Sequence, residues 1–536
     1  MIKTKKLDVL LLAISLITVS TIVITLTLFP EFGKSRANYI FNLFTMIFGA
    51  PILLAVFSAV VFLVILGFSK YGNIRLGSAK PEYSTFSWVA MMICAGLGSA
   101  TVYWAFAEWA YYFTSPPLGI EKGTTEAYEI STAYNLFHWG VSAWSTYCVA
   151  ALPVAYHFHV RKNPGLSLSA VCSAIRGNKK TTPMWRSLYR LIDTIFIFTC
   201  FGGLSITLGV SVPMVAEILS SIVGIKPSFG VNLGIILFIS AIFSFSSYIG
   251  IAKGMARISS MNTYLALGFC LAVFIIGPTL FITKSTVNGL GTMFQNFIKM
   301  SLWTDPVENN GFPEGWTIFY WLYWITYTPF VALFITKVSK GRTIRAVITN
   351  MLVSGSAGCF FFFGIIGNFS LHANINGVVD VVGMVAAGQG NLAIVQLLNT
   401  LPMSEIFIVL FAAISILFLA TTLDSAAFTM ASTVTRGLNE GEDPSPINRL
   451  FWCIMLAAVP LAMLFINAPL NTIKTCAIVT SIPLSFILGY MIYGFIKWLK
   501  TDYGHKTVEV ILQESGAKPK ETISESASCY SYERCP

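Results

Sequence analysis

GWTIFYWLYWITYTPFVALFITKVS, Gly315–Ser339, is long enough to cross a bilayer, yet it holds Trp316, Trp321, Trp324, Tyr320, Tyr323 and Tyr327. Spanning helices ordinarily keep Trp and Tyr at the two interfaces, whereas here they run into the middle of the segment, as far as Pro329. Trp324 and Tyr327 are three apart and share a helical face. A patch of π-faces without neighbouring carboxylates suits a bulky cation that has no hydrogen-bond donors, such as a quaternary ammonium. Helix packing and interfacial anchoring account for the same residues, so this stretch alone leaves both readings open.

The remainder of the chain fixes the class. Of 536 residues, 55% are hydrophobic and 11% charged, and the mean hydropathy is +0.72, which excludes a soluble multidomain protein. Apolar runs of about 20 residues recur, each matching ~30 Å of hydrocarbon. Backbone in lipid must satisfy its own hydrogen bonds, and these runs neither alternate nor stop short as barrel strands do, so they read as helices. About twelve spans are expected, at 8–30, 45–69, 85–113, 131–158, 190–223, 231–250, 259–283, 315–339, 344–371, 404–435, 449–467 and 475–499. Loops bearing Lys70, Arg75 and Lys80, then Arg161, Lys162, Lys179, Lys180 and Arg186, then Lys253 and Arg257, then Lys337, Lys340, Arg342 and Arg345 alternate with loops poor in Lys and Arg. The positive-inside rule puts these loops and both termini in the cytoplasm of a multi-pass protein of the inner or plasma membrane. The net charge of +10 therefore reports topology and the lipid bilayer as partner, not nucleic acid.

The first apolar segment follows Lys3, Lys5 and Lys6 without a cleavage site and reads as a helix. Between spans seven and eight, Val287–Met300 is too short to cross and reads as an amphipathic helix at the outer interface. The organisation expected is two peripheral helices in 1–80, five helices in 81–283, the interfacial segment in 284–314, five more in 315–499, and a polar, disordered tail in 500–536. Cys94, Cys148, Cys200, Cys270, Cys359 and Cys453 lie in apolar spans without metal-ligand spacing and read as packing residues, while Cys529 and Cys535 fall in the tail. No HExxH, metal-ligand cluster, nucleophile motif or ring-forming filter is present, so neither an enzyme with catalytic residues and a cofactor nor a channel is expected.

Three spans depart from plain lipid-facing helices. The third contains CAGLGSA, Cys94–Ala100, where Gly96 and Gly98 permit either unwinding or close helix packing. Glu108 follows in the same span with Trp104, Trp109, Tyr111 and Tyr112, and an ionisable group at that depth is a functional candidate by default. The fourth carries FHWGVSAWSTY, Phe137–Tyr147. Its Trp139, Trp144 and Tyr147 join Trp324 as candidates for a box around a trimethylammonium head, worth about 2 kcal/mol or more per favourable desolvated ring. His138 beside them is either a hydrogen-bonded core residue or a proton relay. The tenth span ends FLATTLDSAAFTMAS, Phe418–Ser432. Thr421, Thr422, Asp424 and Ser425 there offer hard oxygens to a small cation such as Na+, between this span and the Gly96–Gly98 break. Hydroxyls bonding back to their own helix are the alternative. Spans three and eight each open a set of five helices, the order expected of two inverted repeats.

With these stretches quoted, the chain from about Pro81 to Leu499 resembles the betaine/choline/carnitine transporters. The most specific piece is GWTIFYWLYWITYTPFVALFITKVSKGRTIR, supported by PEYSTFSW, FHWGVSAW, AKGMARISS and FLATTLDSAA. The resemblance implies an all-α fold of twelve transmembrane helices, a LeuT-type inverted repeat of five plus five preceded by two extra helices, often assembled as a homotrimer. It also implies secondary active transport of a quaternary-ammonium solute: betaine, carnitine, γ-butyrobetaine or choline. Carried over, the aromatic box falls on Trp139, Trp144, Tyr147 and Trp324, with Tyr323, Tyr327 and Phe330 nearby and Tyr111 matching a site-lining tyrosine of carnitine exchangers. Backbone donors near Gly96 and Gly98 would meet a substrate carboxylate. The sodium site of the sodium-coupled members falls on Ala95, Leu97, Phe418, Thr421 and Thr422. Cation-independent exchangers carry an arginine where this chain has Asn262, so sodium-coupled symport by alternating access is expected, with a sodium-independent carnitine/γ-butyrobetaine exchanger as the alternative. The tail lacks the charged helix linked to osmotic sensing in some members, which points to metabolic uptake.

Overall fold

The apolar runs fold as helices, and among the described residues β pairing is limited to two isolated bridges, Leu7 with Thr435 and Arg75 with Thr343. The computed structural model describes residues 7–77, 80–95, 99–165, 167–177, 182–248, 252–435, 444–467 and 470–514. Its helices are α1 (Val9–Leu28), α2 (Pro30–Phe68), α3 (Thr85–Ala95), α4 (Ser99–Thr114), α5 (Thr125–Phe137), α6 (Val141–Ala155), α7 (Leu168–Arg176), α8 (Pro183–Val223), α9 (Phe229–Tyr248) and α10 (Ala252–Ile276). There follow α11 (Thr279–Leu302), α12 (Phe319–Val338), α13 (Ile344–Thr349), α14 (Ser356–Ile375), α15 (Val381–Ala386), α16 (Gly390–Asn399), α17 (Ser404–Val434), α18 (Pro446–Phe465), α19 (Leu470–Tyr503) and α20 (Val508–Glu514).

Eight helices among the described residues are long and apolar enough to span, or nine if one bent pair is a single span. The figure falls below twelve partly because two expected spans are interrupted. The third is divided between α3 and α4, and Gly96, Leu97 and Gly98 lie outside the described residues. The fourth is divided at His138–Gly140 into a helix of 13 residues, shorter than the ~20 that cross alone, and one of 15 that continues in π geometry through Tyr156–Val160. The bent pair is α10 and α11, which meet at 111°. Gly277-Pro278 makes that corner, since proline removes a helical N–H and pushes the preceding residue out of the α region. The amphipathic stretch expected from Val287 accordingly starts earlier, at Thr279.

Burial orders the bundle from centre to edge. In their most apolar stretches α8 is 89% buried and the α12 span 72%, against 22% for α1, so α8 and α12 form the centre and α1 faces outward. The helix leading into α12 widens to π geometry over Pro313–Ile318, and the one leading into α14 does so over Asn350–Gly355. Such widened turns re-aim side chains within a continuous helix and recur at functional sites. The basic loops gather at one end. Lys70 Nζ donates to the carbonyls of Gly504 and Lys506, Arg161 forks onto Asp502, and Arg342 reaches the Tyr83 carbonyl.

Candidate functional site

The break between α5 and α6 turns Trp139 inward, and the first turns of α6 carry Trp144 and Tyr147 on the side facing α12. Trp324 of α12 meets all three rings. Its centroid lies 5.3 Å from that of Trp139, 4.8 Å from Tyr147 and 6.3 Å from Trp144, while Trp144 and Tyr147 sit edge to face at 5.7 Å. All four are buried. Phe363 of α14 stacks on Trp139 at 4.7 Å and closes that side. Room for Trp144 comes from Gly355, because a Cβ there would fall 2.4 Å from the indole.

A second cluster adjoins the first on the α8 side of α12. Tyr323 and Tyr327 both meet the Thr207 hydroxyl, Tyr323 at 3.0 Å and Tyr327 in a very short contact, and Tyr327 also donates to the Gly203 carbonyl at 3.2 Å. Phe330 packs on Tyr327 and on Phe196 of α8. Tyr111 stands in a third group. Its hydroxyl pairs with Tyr103 at 3.0 Å and its ring packs on Trp104 and Trp316. The structure thus brings Trp139, Trp144, Tyr147 and Trp324 together and places Tyr111, Tyr327 and Phe330 in neighbouring layers.

Beneath the tryptophan cluster lies a polar centre that composition does not reveal. Glu108 of α4 is fully buried, and three donors converge on it: Trp139 Nε1 at 2.8 Å, the Tyr320 hydroxyl at 2.6 Å and the Tyr112 hydroxyl in a very short bond. Because the single Tyr112 proton goes to Glu108, its oxygen accepts from His138 Nδ1 at 2.7 Å. His138 Nε2 is hydrogen-bonded to the Thr317 hydroxyl at 3.1 Å, and the imidazole stacks on Tyr320 at 4.7 Å. Lys474 of α19 completes the group. It is buried, donates to the Gly315 carbonyl at 2.8 Å, and holds its ammonium 3.5 Å above the Trp316 ring and 4.5 Å above Phe319. Glu108 and His138 are visible in the sequence as ionisable groups at depth; the only sign of Lys474 is a single lysine at the mouth of the last span.

Of the sodium candidates, Phe418, Thr421 and Thr422 lie on α17, which is continuous through them. The Thr421 hydroxyl donates to the carbonyls of Leu417 and Phe418 at 3.0 and 3.1 Å. Ala95 is the last residue of α3, and Leu97 lies outside the described residues. One turn further along α17, Asp424 is paired with Arg449 of α18 at 2.6 Å. Asn262 of α10 is buried, and neither atom of its amide finds a partner among the described residues.

Spanning helices interrupted at depth, closing around indole rings and a buried carboxyl group, define a polytopic membrane protein of the kind that handles a solute inside the bilayer. The model of the BCCT, betaine/carnitine/choline family transporters matches residues 10–504, and the chain belongs to that family. It is accordingly a membrane transporter of betaine/carnitine-type solutes and not an enzyme. It is 47% identical over 440 residues to the uncharacterized transporter YeaV of Escherichia coli (strain K12), covering 82% of this chain and 91% of that one. It is 44% identical over 470 residues to a carnitine transporter of Acinetobacter baumannii, covering 88% and 85%. A glycine betaine transporter of Acinetobacter baylyi is 30% identical over 472 residues, covering 87% and 69%.

Proposed function

We propose that this transporter carries a quaternary-ammonium solute of the carnitine, γ-butyrobetaine, betaine or choline type by sodium-coupled symport with alternating access. The observation that carries the reading is Trp324, which touches Trp139, Trp144 and Tyr147 at once. A trimethylammonium group has no donor to satisfy, so indole and phenol faces in a dry interior can stabilise it where hydrogen-bonding side chains would gain nothing. The rings pack on one another, and a cation entering among them exchanges ring–ring contacts for cation–π contacts. The relative named a carnitine transporter favours a zwitterion that pairs such a head with a carboxylate. Backbone donors near Gly96 and Gly98 are the partners proposed for that carboxylate, and Tyr111, Tyr323, Tyr327 and Phe330 are proposed to line its path.

Sodium coupling is supported by the hydroxyl pair Thr421 and Thr422 and by an uncharged Asn262 with its amide unpartnered among the described residues. Ala95, Leu97 and Phe418 would supply carbonyl ligands to the ion, which is cargo and not a resident cofactor. The second reading, sodium-independent exchange, is favoured by Thr421, whose hydroxyl is already bonded to its own helix. Uptake of labelled carnitine, betaine and choline into proteoliposomes, with and without a sodium gradient, tests both. Carnitine counterflow at full rate without sodium would replace the symporter by the exchanger, and no saturable uptake of any of the three would remove the substrate class. A homotrimer in the inner membrane with both termini cytoplasmic, serving metabolic uptake, completes the proposal; activation by hyperosmotic shock would count against that last part.

A further inference from the structure

Glu108 and His138 sit one ring away from the proposed cation box, in a line of hydrogen bonds that holding a solute does not by itself require. His138 Nδ1 lies 3.9 Å from Glu108 Oε1, and the Tyr112 oxygen bridges the two, bonded to both. Thr317 continues the line from His138 Nε2 at 3.1 Å. All four residues are buried. We propose that this line is a proton path, that Glu108 is the proton-binding site at its inner end, and that an onium head entering the box drives the proton off.

The line has two complete arrangements. In the first, Glu108 is ionised and only accepts: Tyr112 and Tyr320 each give it their single proton, and Trp139 Nε1 can do nothing but donate. The Tyr112 oxygen then accepts from Nδ1, and Nε2 of the neutral imidazole accepts from Thr317. In the second, Thr317 takes a proton from solvent as it passes its own to Nε2, Nδ1 passes one to the Tyr112 oxygen, and Tyr112 passes one to Glu108 Oε1. The hydroxyl, the imidazole and the phenol each end with the one proton they began with, and the carboxyl group has gained one. Every bond along the line survives with its direction reversed, while Trp139 and Tyr320 still donate to Oε2. Neither state leaves a buried polar atom of the line orphaned, which is the cost that ordinarily holds a buried carboxyl group in one form.

The two ends of the line lie where a coupled proton needs them. Thr317 is on the widened turn Pro313–Ile318, three residues from the partly exposed Glu314, at the end of α12 opposite the basic loops. At the inner end, Trp139 links the carboxyl group to the box, with Nε1 2.8 Å from Oε2 and its ring 5.3 Å from that of Trp324. A cation on that ring favours the ionised carboxyl group, and a proton on the carboxyl group disfavours the cation. The two ligands therefore compete, each weakening the other by the same factor. The other titratable groups around this centre are Tyr134 beside the imidazole, Tyr320 on its face, Tyr103 and Tyr111 beyond Trp104, and Lys474 on the Trp316 ring that also packs on Tyr112. Lys474 lies off the line, and its own variant separates it from Glu108.

This linkage rests on the box holding an onium head, as proposed above, and one experiment separates the two. Carnitine binding to the purified full chain is measured by calorimetry over roughly pH 5 to 8, above the titration of the ligand's own carboxylate, in pairs of buffers with different ionisation heats, which counts the protons released on binding. The wild type is expected to release protons, up to one per carnitine, and to lose affinity by about fivefold or more as the pH falls, the scale of ordinary coupling between two sites. Glu108→Gln is expected to bind more weakly, with no release and a flat pH profile. Tyr112→Phe, which cuts the line and leaves the carboxyl group, is expected to release the same number of protons more slowly, followed with a pH-indicator dye after rapid mixing. Release that persists in Glu108→Gln, or that vanishes in Lys474→Met instead, overturns the site. Release as fast in Tyr112→Phe as in the wild type overturns the path. Wild-type binding with no proton released and no dependence on pH overturns the proposal even where a variant fails to fold. No binding of carnitine, betaine or choline at any pH removes the onium reading itself, and the linkage with it.

Discussion

Nε1 of Trp139 lies 2.8 Å from Oε2 of Glu108, the same oxygen that accepts the Tyr320 hydroxyl at 2.6 Å. One carboxyl group therefore sets the plane of a ring in the proposed cation box and ties α4 to α12 and to the α5–α6 break. Glu108→Gln keeps the shape but turns one oxygen into an NH2 group, so one of the two positions, the one facing Tyr112 or the one facing Trp139 and Tyr320, can no longer accept. Losing a well-placed hydrogen bond and leaving a buried donor unpaired costs about 1–3 kcal/mol. Glu108→Gln should raise the apparent KM for the onium substrate about tenfold, the equivalent of ~1.4 kcal/mol, while Vmax changes less. Initial-rate uptake measures this, and an unchanged KM would show that Trp139 needs no such support.

Trp324 is the wall shared by the other three rings, so its loss acts on the box as a whole. Trp324→Ala should weaken binding of a trimethylammonium ligand by about 2 kcal/mol or more, roughly 30-fold in Kd, and Trp324→Phe by less because a π-face remains. Comparing each ligand with its neutral tert-butyl isostere isolates the electrostatic part. The wild type should prefer the cation, and Trp324→Ala should lose most of that preference. Equal preference in both proteins would mean that the site recognises shape and not charge.

Gly355 sits where no other residue fits against Trp144. A methyl group at this position would lie 2.4, 2.5 and 2.6 Å from three indole carbons, so the ring or the widened turn must move. Overpacking of this kind costs typically about 1–3 kcal/mol. Gly355→Ala should lower the melting temperature and reduce onium binding together, whereas Gly315→Ala, where a Cβ meets nothing within 4 Å, should leave binding close to wild type. Thermal unfolding with and without ligand separates the two effects.

How far such relationships are legible in the chain depends on how local they are. The helical class and the tryptophan cluster can be read because hydropathy runs and aromatic spacing are properties of single segments. The split of Trp324 from Tyr327 cannot. Three residues leave two side chains about 60° apart on a helix at 3.6 residues per turn, and α12 lies between α6 and α8, so that rotation carries Trp324 to one neighbour and Tyr327 to the other. The polar centre was half visible. Glu108 and His138 declare themselves as ionisable groups at depth, but their partners Tyr112, Tyr320 and Thr317 look like any other residues of an apolar span. Lys474 is separated from Trp316 by more than 150 positions, and only packing of α19 against the mouth of α12 brings its ammonium onto that ring.

That ammonium makes a further prediction. Lys474 is buried with one carbonyl acceptor at 2.8 Å and two aromatic faces beneath it. Lys474→Met keeps the length of the stem and removes the charge, so it should destabilise the protein by about 2 kcal/mol through the lost desolvated cation–π contacts. If Lys474 is also the counter-charge of Glu108, the double variant Glu108→Gln/Lys474→Met should be less impaired than the sum of the singles, by roughly 0.5–3 kcal/mol. Strict additivity in the melting temperatures would separate the two residues energetically.

Asn262 offers the sharpest test of ion coupling. It is buried on α10 with its amide unpartnered among the described residues, and the family resemblance implies an arginine at the matching position of cation-independent exchangers. A guanidinium placed there would supply the positive charge and the donors that a bound Na+ otherwise provides, without needing a gradient. Asn262→Arg should therefore retain substrate uptake or counterflow in sodium-free vesicles and lose its response to added sodium. Thr421→Ala, which removes one proposed oxygen ligand and leaves the position uncharged, should instead raise the sodium concentration needed for half-maximal uptake while leaving maximal uptake close to wild type. Both are measured as sodium titrations of initial rate in proteoliposomes. If the wild type shows no sodium dependence and Thr421→Ala transports like it, the Thr421 hydroxyl serves only its own helix, as its bonds to Leu417 and Phe418 allow, and exchange becomes the mechanism.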